Sequence, residues 1–258
     1  LDVQTPYSKQ VLQSLLPVLD AVVQDADGRV LVDGLRNWNG DFSQDNIAPT
    51  VFSQLLYEVA RGAMADELGE GPFKALLRTR TLDSALPRLF ADAQSPWWDN
   101  KTTPVIESRN DTVLAAWKAA LADLEKTYGK DSAQWLWGKA HTLTHNHPLG
   151  QQKPLDKLFN VGPFSVSGAR EVPNNFSSSI GPAPWLVAHG PSTRRVIDFA
   201  DASKAVGINP VGQSGVLFDK HYADQATRFA KGEYVAQYLS PADVKAHTSS
   251  TLTFNPVP

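Results

Sequence analysis

The sequence predicts an α+β fold, with helices in its first half and strands in its second. Apolar residues recur at helical spacing up to about residue 133; beyond it come short runs rich in aromatic and β-branched residues, broken by Gly, Pro and Asn. Helices and strands do not alternate as βαβ units, which argues against a nucleotide-binding parallel sheet. The expected division is a mainly helical segment, 1–133, and a strand-rich segment, 134–258, interrupted by two helices.

Each element has a local reason. Thr5 and Pro6 read as the N-cap and first residue of a helix. Val11, Leu12, Leu15, Leu16 and Leu19 form its apolar face, and Pro17 is expected to kink or divide it. The stretch "GRVLVDGLRNWNGDFSQDN" reads as turn-rich, with Asn39-Gly40 as a tight turn. Pro49 opens the next helix, with Phe52, Leu55, Leu56, Val59 and Ala63 inward. "FKALLR" and "LDSALPRLF" give shorter helical pieces. Asp111 is expected to cap the clearest helix, which sets Leu114, Trp117, Leu121, Leu124 and Tyr128 on one face and ends at Gly129. In the second half "SAQWLWGKAHTLTH", "PWLVAHG", "TRRVIDFA" and "STLTFNP" read as strands. Asp219 is expected to cap a helix that buries Tyr222, Ala226 and Phe229 and stops at Gly232. Ser240, Pro241 and Asp243 start another in a capping-box pattern.

Composition sets bounds on function. A chain of 258 residues has room for one large core or two modest ones. The net charge of −3 offers no basic face for nucleic acid. The absence of cysteine excludes disulfides, thiolate metal sites and a cysteine nucleophile. No apolar run reaches the ~18 residues that a membrane-spanning helix needs. The start "LDVQTPYSKQ" lacks the basic and apolar stretches of a signal peptide, and Met64 is the sole methionine. Leu1 is therefore expected to be a processed, cut or artificial boundary.

Several residue groups invite a chemical reading. In "NPVGQSGVLFDKHYADQ", Ser214 sits between glycines near His221 and Asp224. A nucleophile elbow needs G-x-S-x-G on a strand–helix turn, but in Gly212-Gln213-Ser214-Gly215-Val216 the second glycine comes one residue early. Ser214 reads as a turn residue bonded to backbone. On a strand, His141, His145 and His147 of "KAHTLTHNHPLG" would share a face and could hold zinc, with Asp156 as the nearest following carboxylate. Asn174 and Asn175 could donate to an oxyanion, although a polar strand end explains them as well. Arg194 and Arg195 would point to opposite faces of a strand. Trp97, Trp98, Trp135, Trp137 and Trp185 read as core. The sequons at Asn100, Asn110 and Asn175 carry little weight. From the residues alone, no self-contained catalytic set emerges.

Taken in order, the segments resemble a known family. "LLPVL", "LRNWNGDFSQDNIAPTVFSQLLYEVAR", "YGKDSAQWLWGKAHTLTHNHPLG", "LFNVGPFSVSGAREVPNNFSS", "HGPSTRRVIDFAD" and "NPVGQSGVLFDKHYADQ" together resemble the C-terminal part of the catalytic β subunit of penicillin acylases and acyl-homoserine-lactone acylases. The resemblance runs from about Leu15 to the C-terminus, and the Gly-Gln-Ser-Gly turn followed by His-Tyr-x-Asp-Gln is its most specific part.

That resemblance implies an N-terminal-nucleophile hydrolase with four layers, αββα, of which this chain supplies the C-terminal portion. It implies cleavage of an amide by a serine freed through self-cutting, whose own α-amine is the base. The nucleophile, the oxyanion asparagine and the calcium ligands of the family all lie upstream, so none is carried onto a residue here. Asn174 and Asn175 do not match the oxyanion motif, and Ser214 takes no nucleophilic role. The expected partners are the α subunit, the N-terminal part of the β subunit and a small amide substrate, with no nucleic acid or membrane, and no cofactor in this chain. The expected location is periplasmic or secreted. The isolated chain is expected to be inactive. The alternatives are a non-catalytic acylase-like binding or structural module, and an independent metal-dependent hydrolase built on His141, His145 and His147.

Overall fold

A computed structural model describes residues 2–256. In chain order the elements are α1 (Pro6–Val22), α2 (Ala26–Asn37), α3 (Ala48–Leu68), α4 (Glu70–Leu77), α5 (Thr81–Ala91), α6 (Arg109–Tyr128) and α7 (Trp137–Ala140). They continue with β1 (Thr142–His145), α8 (Asp156–Phe159), β2 (Val161–Ser165), β3 (Arg194–Val196), β4 (Val206–Ile208), α9 (Ala226–Lys231), β5 (Val235–Ala236) and α10 (Pro241–His247). The α+β reading holds, with helices filling the first half and every strand among the described residues lying beyond residue 141.

The chain divides into two compact units, one of residues 1–144 with 163–190, the other of 145–162 with 191–258. The change of texture near residue 134 therefore marks a change of local structure and not of packing. Trp135, Trp137, Ala140, Val172, Ile180 and Trp185 all join the hydrophobic core of the helical unit.

Within that unit α3 is the central element. It packs most extensively on α6, and Val51, Phe52, Leu55, Val59, Ala60 and Ala63 are almost wholly buried. Gln54, fully buried on α3, keeps its polar groups satisfied. Its amide nitrogen donates to Glu58 Oε1 at 3.2 Å, and its carbonyl accepts from the Ala183 N–H at 3.0 Å. A helix near the start of the chain is thus tied to a segment 129 residues later.

Several local expectations change. The "GRVLVDGLRN" stretch is helix α2, because Asp25 caps it by accepting from the Gly28 N–H at 2.7 Å and Val32 and Leu35 face inward. A Cβ on Gly28 would lie 2.7 Å from Val23 Cγ1, so glycine serves close packing there. Helix α1 runs unbroken through Pro17, which sits on the exposed side where water can satisfy the freed carbonyl. The cap of α6 is Ser108, not Asp111. The Asp111 N–H donates to Ser108 Oγ and the Asp111 carboxylate accepts from the Ser108 N–H, a reciprocal capping box.

The strands are shorter than expected. The strands β1 and β2 pair in a two-stranded sheet, and β3, β4 and β5 form an antiparallel sheet in that order, with Arg194 opposite Ile208 and Val206 opposite Ala236. "SAQWLWGKAHTLTH" contributes only β1, since Trp137–Ala140 turn as α7 to bury the indole. "PWLVAHG" runs extended beside the 140–142 backbone without forming a regular strand, the Trp185 N–H donating to Ala140 O and the Val187 N–H to Thr142 O. "STLTFNP" has no regular structure over its described residues and is exposed. Asp219 caps no helix. The expected late helix is only α9, which does end at Gly232 in a left-handed conformation at φ 74°. Ser240 caps α10, accepting from the Asp243 N–H at 3.0 Å.

These contacts rank two substitutions. Leu55→Ala, at a wholly buried site on α3, should cost about 2–5 kcal/mol of stability. Ser108→Ala should cost about 1 kcal/mol through loss of the cap. Urea unfolding of the two variants checks the order, and an equal or larger effect at Ser108 would contradict this packing.

Candidate functional site

The loop that carries Ser214 lies in the second unit and is fixed by its own backbone. The Gly212 N–H donates to Tyr222 O at 3.0 Å and the Ser214 N–H to His221 O at 3.1 Å, so the two arms lie side by side. A Cβ on Gly212 would stand 1.6 Å from His221 O, which leaves glycine as the residue that fits. Ser214 Oγ accepts from the Val216 N–H at 3.1 Å, and His221 Nδ1 meets Asp224 Oδ2 at 2.7 Å. Ser214, Asp219, His221 and Asp224 line one open depression of about 430 Å³. Among the described residues, however, Ser214 Oγ has no hydrogen bond to His221, and an activated serine needs its base within that reach. The hydroxyl fixes the turn instead.

The three histidines have separate local duties. His141, fully buried in the first unit, ends α7, stacks on Trp137 at 4.7 Å between ring centres, and bonds through Nδ1 to Trp185 O at 2.9 Å. A carbonyl only accepts, so Nδ1 carries the proton. Burial pushes this imidazole down to about 4, against the opposing pull of the Trp185 carbonyl. In the second unit His145 lies 5.8 Å from the Phe229 ring, and burial also lowers its pKa. His147 caps a short turn by accepting the Leu149 N–H at Nδ1, and it stacks on Phe159 at 4.9 Å. Asp156 opens α8, with Lys153 Nζ 4.0 Å away. Among the described residues no group of three His, Cys, Asp or Glu is placed to hold a metal ion.

The remaining candidates are structural in their contacts. Asn174 Nδ2 donates to Ser167 O at 3.1 Å, and the Asn175 N–H donates to Pro173 O. Arg194 lies over the Phe229 ring at 4.5 Å and donates to Phe229 O, whereas Arg195 is exposed. Trp98, Trp135, Trp137 and Trp185 are buried as expected; Trp97 is 37% exposed.

The first unit also holds a cleft that no sequence motif announces. It encloses about 60 Å³ between Tyr7, Phe42, Phe52, Trp137, Ile180 and Trp185. Its rim carries the partly buried ion pair of Arg170 and Asp83, with Nη2 and Oδ2 2.7 Å apart. Burial, with the Asp83 charge nearby, raises the pKa of the Tyr7 phenol and keeps it protonated. Tyr7 Oη is buried without a hydrogen-bond partner among the described residues. The cleft can hold a small apolar group beside one donor. Its walls come from segments more than a hundred residues apart, so no local pattern could announce it.

The penicillin amidase family profile matches residues 1–246. The chain belongs to that family. Among curated relatives, it is 26% identical to the acyl-homoserine lactone acylase QuiP of Pseudomonas aeruginosa, over 94% of this chain and 31% of that protein. It is 27% identical to the QuiP of Pseudomonas putida, over 97% of this chain and 31% of the relative. It thus spans about a third of the length of these proteins. A solved thermostable penicillin G acylase from Alcaligenes faecalis aligns with 96% of this chain and 47% of its own, at 18% identity and a TM-score of 0.49.

In this penicillin amidase family chain the buried imidazole supplies a measurable pH effect. The His141 pKa falls from an ordinary 6.5 to about 4, so the unfolded chain takes up a proton that the folded chain refuses. The full contribution to stability is present above pH 6.5 and is lost as pH falls towards 4. At about 1.4 kcal/mol per unit, the loss approaches about 3 kcal/mol. His141→Gln, which keeps a donor for Trp185 O, should flatten stability between those pH values. Urea unfolding at several pH values decides it, and equal slopes in both proteins would remove His141 as the cause.

Proposed function

We propose that this chain is the C-terminal supporting portion of the β subunit of an amide-cleaving acylase. The observation that carries the proposal is the family match across residues 1–246, in a chain that aligns with only about a third of each named acylase relative. The relatives' names favour an N-acyl substrate such as an acyl-homoserine lactone; the family's description favours a penicillin-type amide. Both share the scissile group, an amide carbonyl bearing an acyl chain.

On this reading a serine at the start of the β subunit, outside this chain, attacks the carbonyl. Its α-amine, with a pKa near ~7.7, takes the hydroxyl proton and returns it to the leaving amine. Water then releases the acid from the acyl-enzyme. The present chain holds the scaffold. The buried Gln54 and His141 and the partly buried Arg170–Asp83 pair lock the helical unit. The outer strands β3 and β5 leave edges to which upstream strands add, completing the four-layer αββα arrangement. The relatives' type of chemistry also suggests a periplasmic or secreted setting.

The test compares this chain alone with the longer protein that includes the preceding polypeptide. N-acyl-homoserine lactones and phenylacetyl amides are offered to both. Hydrolysis by the longer protein, none by the chain alone, and retained activity in a Ser214→Ala variant of the longer protein are the expected results. Turnover by the chain alone that disappears in Ser214→Ala would refute the proposal.

A further inference from the structure

The second unit is poor in core and rich in exposed apolar surface. Among the described residues, its buried apolar side chains are Ala205, Ile208, Ala226 and Phe229. It also bears thirteen of the eighteen large apolar side chains that stand exposed among the described residues, although it holds about a third of the chain. A body of this size normally buries most of its large apolar residues.

One of the exposed residues is also strained. Phe218 adopts φ 71° while remaining 83% exposed, and Val216 beside it is 67% exposed. A bulky residue at positive φ is strained and persists where its surroundings impose it. The surroundings here are the rigid loop: Gly212 and Ser214 bonded to Tyr222 and His221, the Asp219 N–H donating to Val216 O at 3.1 Å, and the His221 N–H to Asp219 Oδ1 at 2.7 Å. The Ser214 hydroxyl holds the Val216 N–H. These bonds hold an aromatic side chain outward on a backbone that does not yield, which is how an anchor residue binds with little loss of freedom.

We propose that the 212–222 loop is a docking element, and that Phe218, supported by Val216, inserts into an apolar cleft on the rest of the acylase polypeptide. The proposal rests on the function given above. The occupant follows from length, because the curated relatives carry about two thirds of their residues outside the region that this chain matches. It assigns the Gly-Gln-Ser-Gly and His-Tyr-x-Asp-Gln residues a task, namely to build the rigid support for the anchor.

Hydroxyl-radical labelling of Phe218, normalised to the denatured protein, tests it in this chain and in the longer protein. Phe218 should be labelled freely in the chain alone and at least about fivefold more slowly in the longer protein, because an anchor is buried away from water. Phe218→Gly removes the strain and should leave the chain alone as stable as before or more so. The same substitution should lower the melting temperature of the longer protein. Equal labelling of Phe218 in both proteins, or protection in the chain alone, overturns the proposal. Acylase activity of the longer protein is scored separately. An active enzyme with unprotected Phe218 sinks the docking element alone; an inactive one with protected Phe218 sinks only the function.

Discussion

The helical unit depends on the burial of Trp137. Its indole packs edge-on to Phe42 at 5.4 Å, stacks on His141 at 4.7 Å and on Trp185 at 5.4 Å, and donates from Nε1 to Gly168 O at 2.9 Å. Four stretches of chain, early and late, meet on one ring system. A buried indole needs both its apolar area covered and its N–H satisfied, and here the two requirements are met by different segments. The neutral state of His141 is part of the same arrangement, since a charged imidazole between indole and backbone would lack solvation.

Much of the helical half could be read from the residues. Thr5-Pro6, the Pro49 start, the stripe from Phe52 to Ala63 and Gly129 all act through the nearest turn of chain, and local chemistry sets them. The failures have a physical pattern as well. Helix α2 lies in a stretch that read as turn-rich, and its Gly28 is there for close packing with Val23. The strands were overestimated because β-branched and aromatic residues state a preference for extended backbone, whereas a ladder also needs a partner at the right register. The 185–187 backbone runs extended and bonded without becoming a strand for that reason. At the candidate sites, the turn role of Ser214 was legible from the misplaced glycine. The Tyr7–Ile180 cleft and the Gln54–Ala183 tether were not, because each joins residues that no local window holds together.

The polar residues that looked most chemical serve the fold. His147 and Ser214 each accept a backbone N–H in a turn, Asn174 ties one loop to Ser167, and the Arg170 guanidinium is spent on Asp83 and two carbonyls. Side chains committed in this way are poor candidates for proton transfer, which requires a free lone pair or proton aimed at substrate. Membership of the penicillin amidase family and the scaffold role proposed for this chain are therefore compatible.

The thin interior of the second unit has a consequence for the life of the chain in a cell. With so few side chains shielded from water, local opening outside the hydrogen-bonded 212–222 loop needs little free energy, and a protease gains access to that backbone easily. Susceptibility to proteolysis then follows from how few apolar side chains the unit covers.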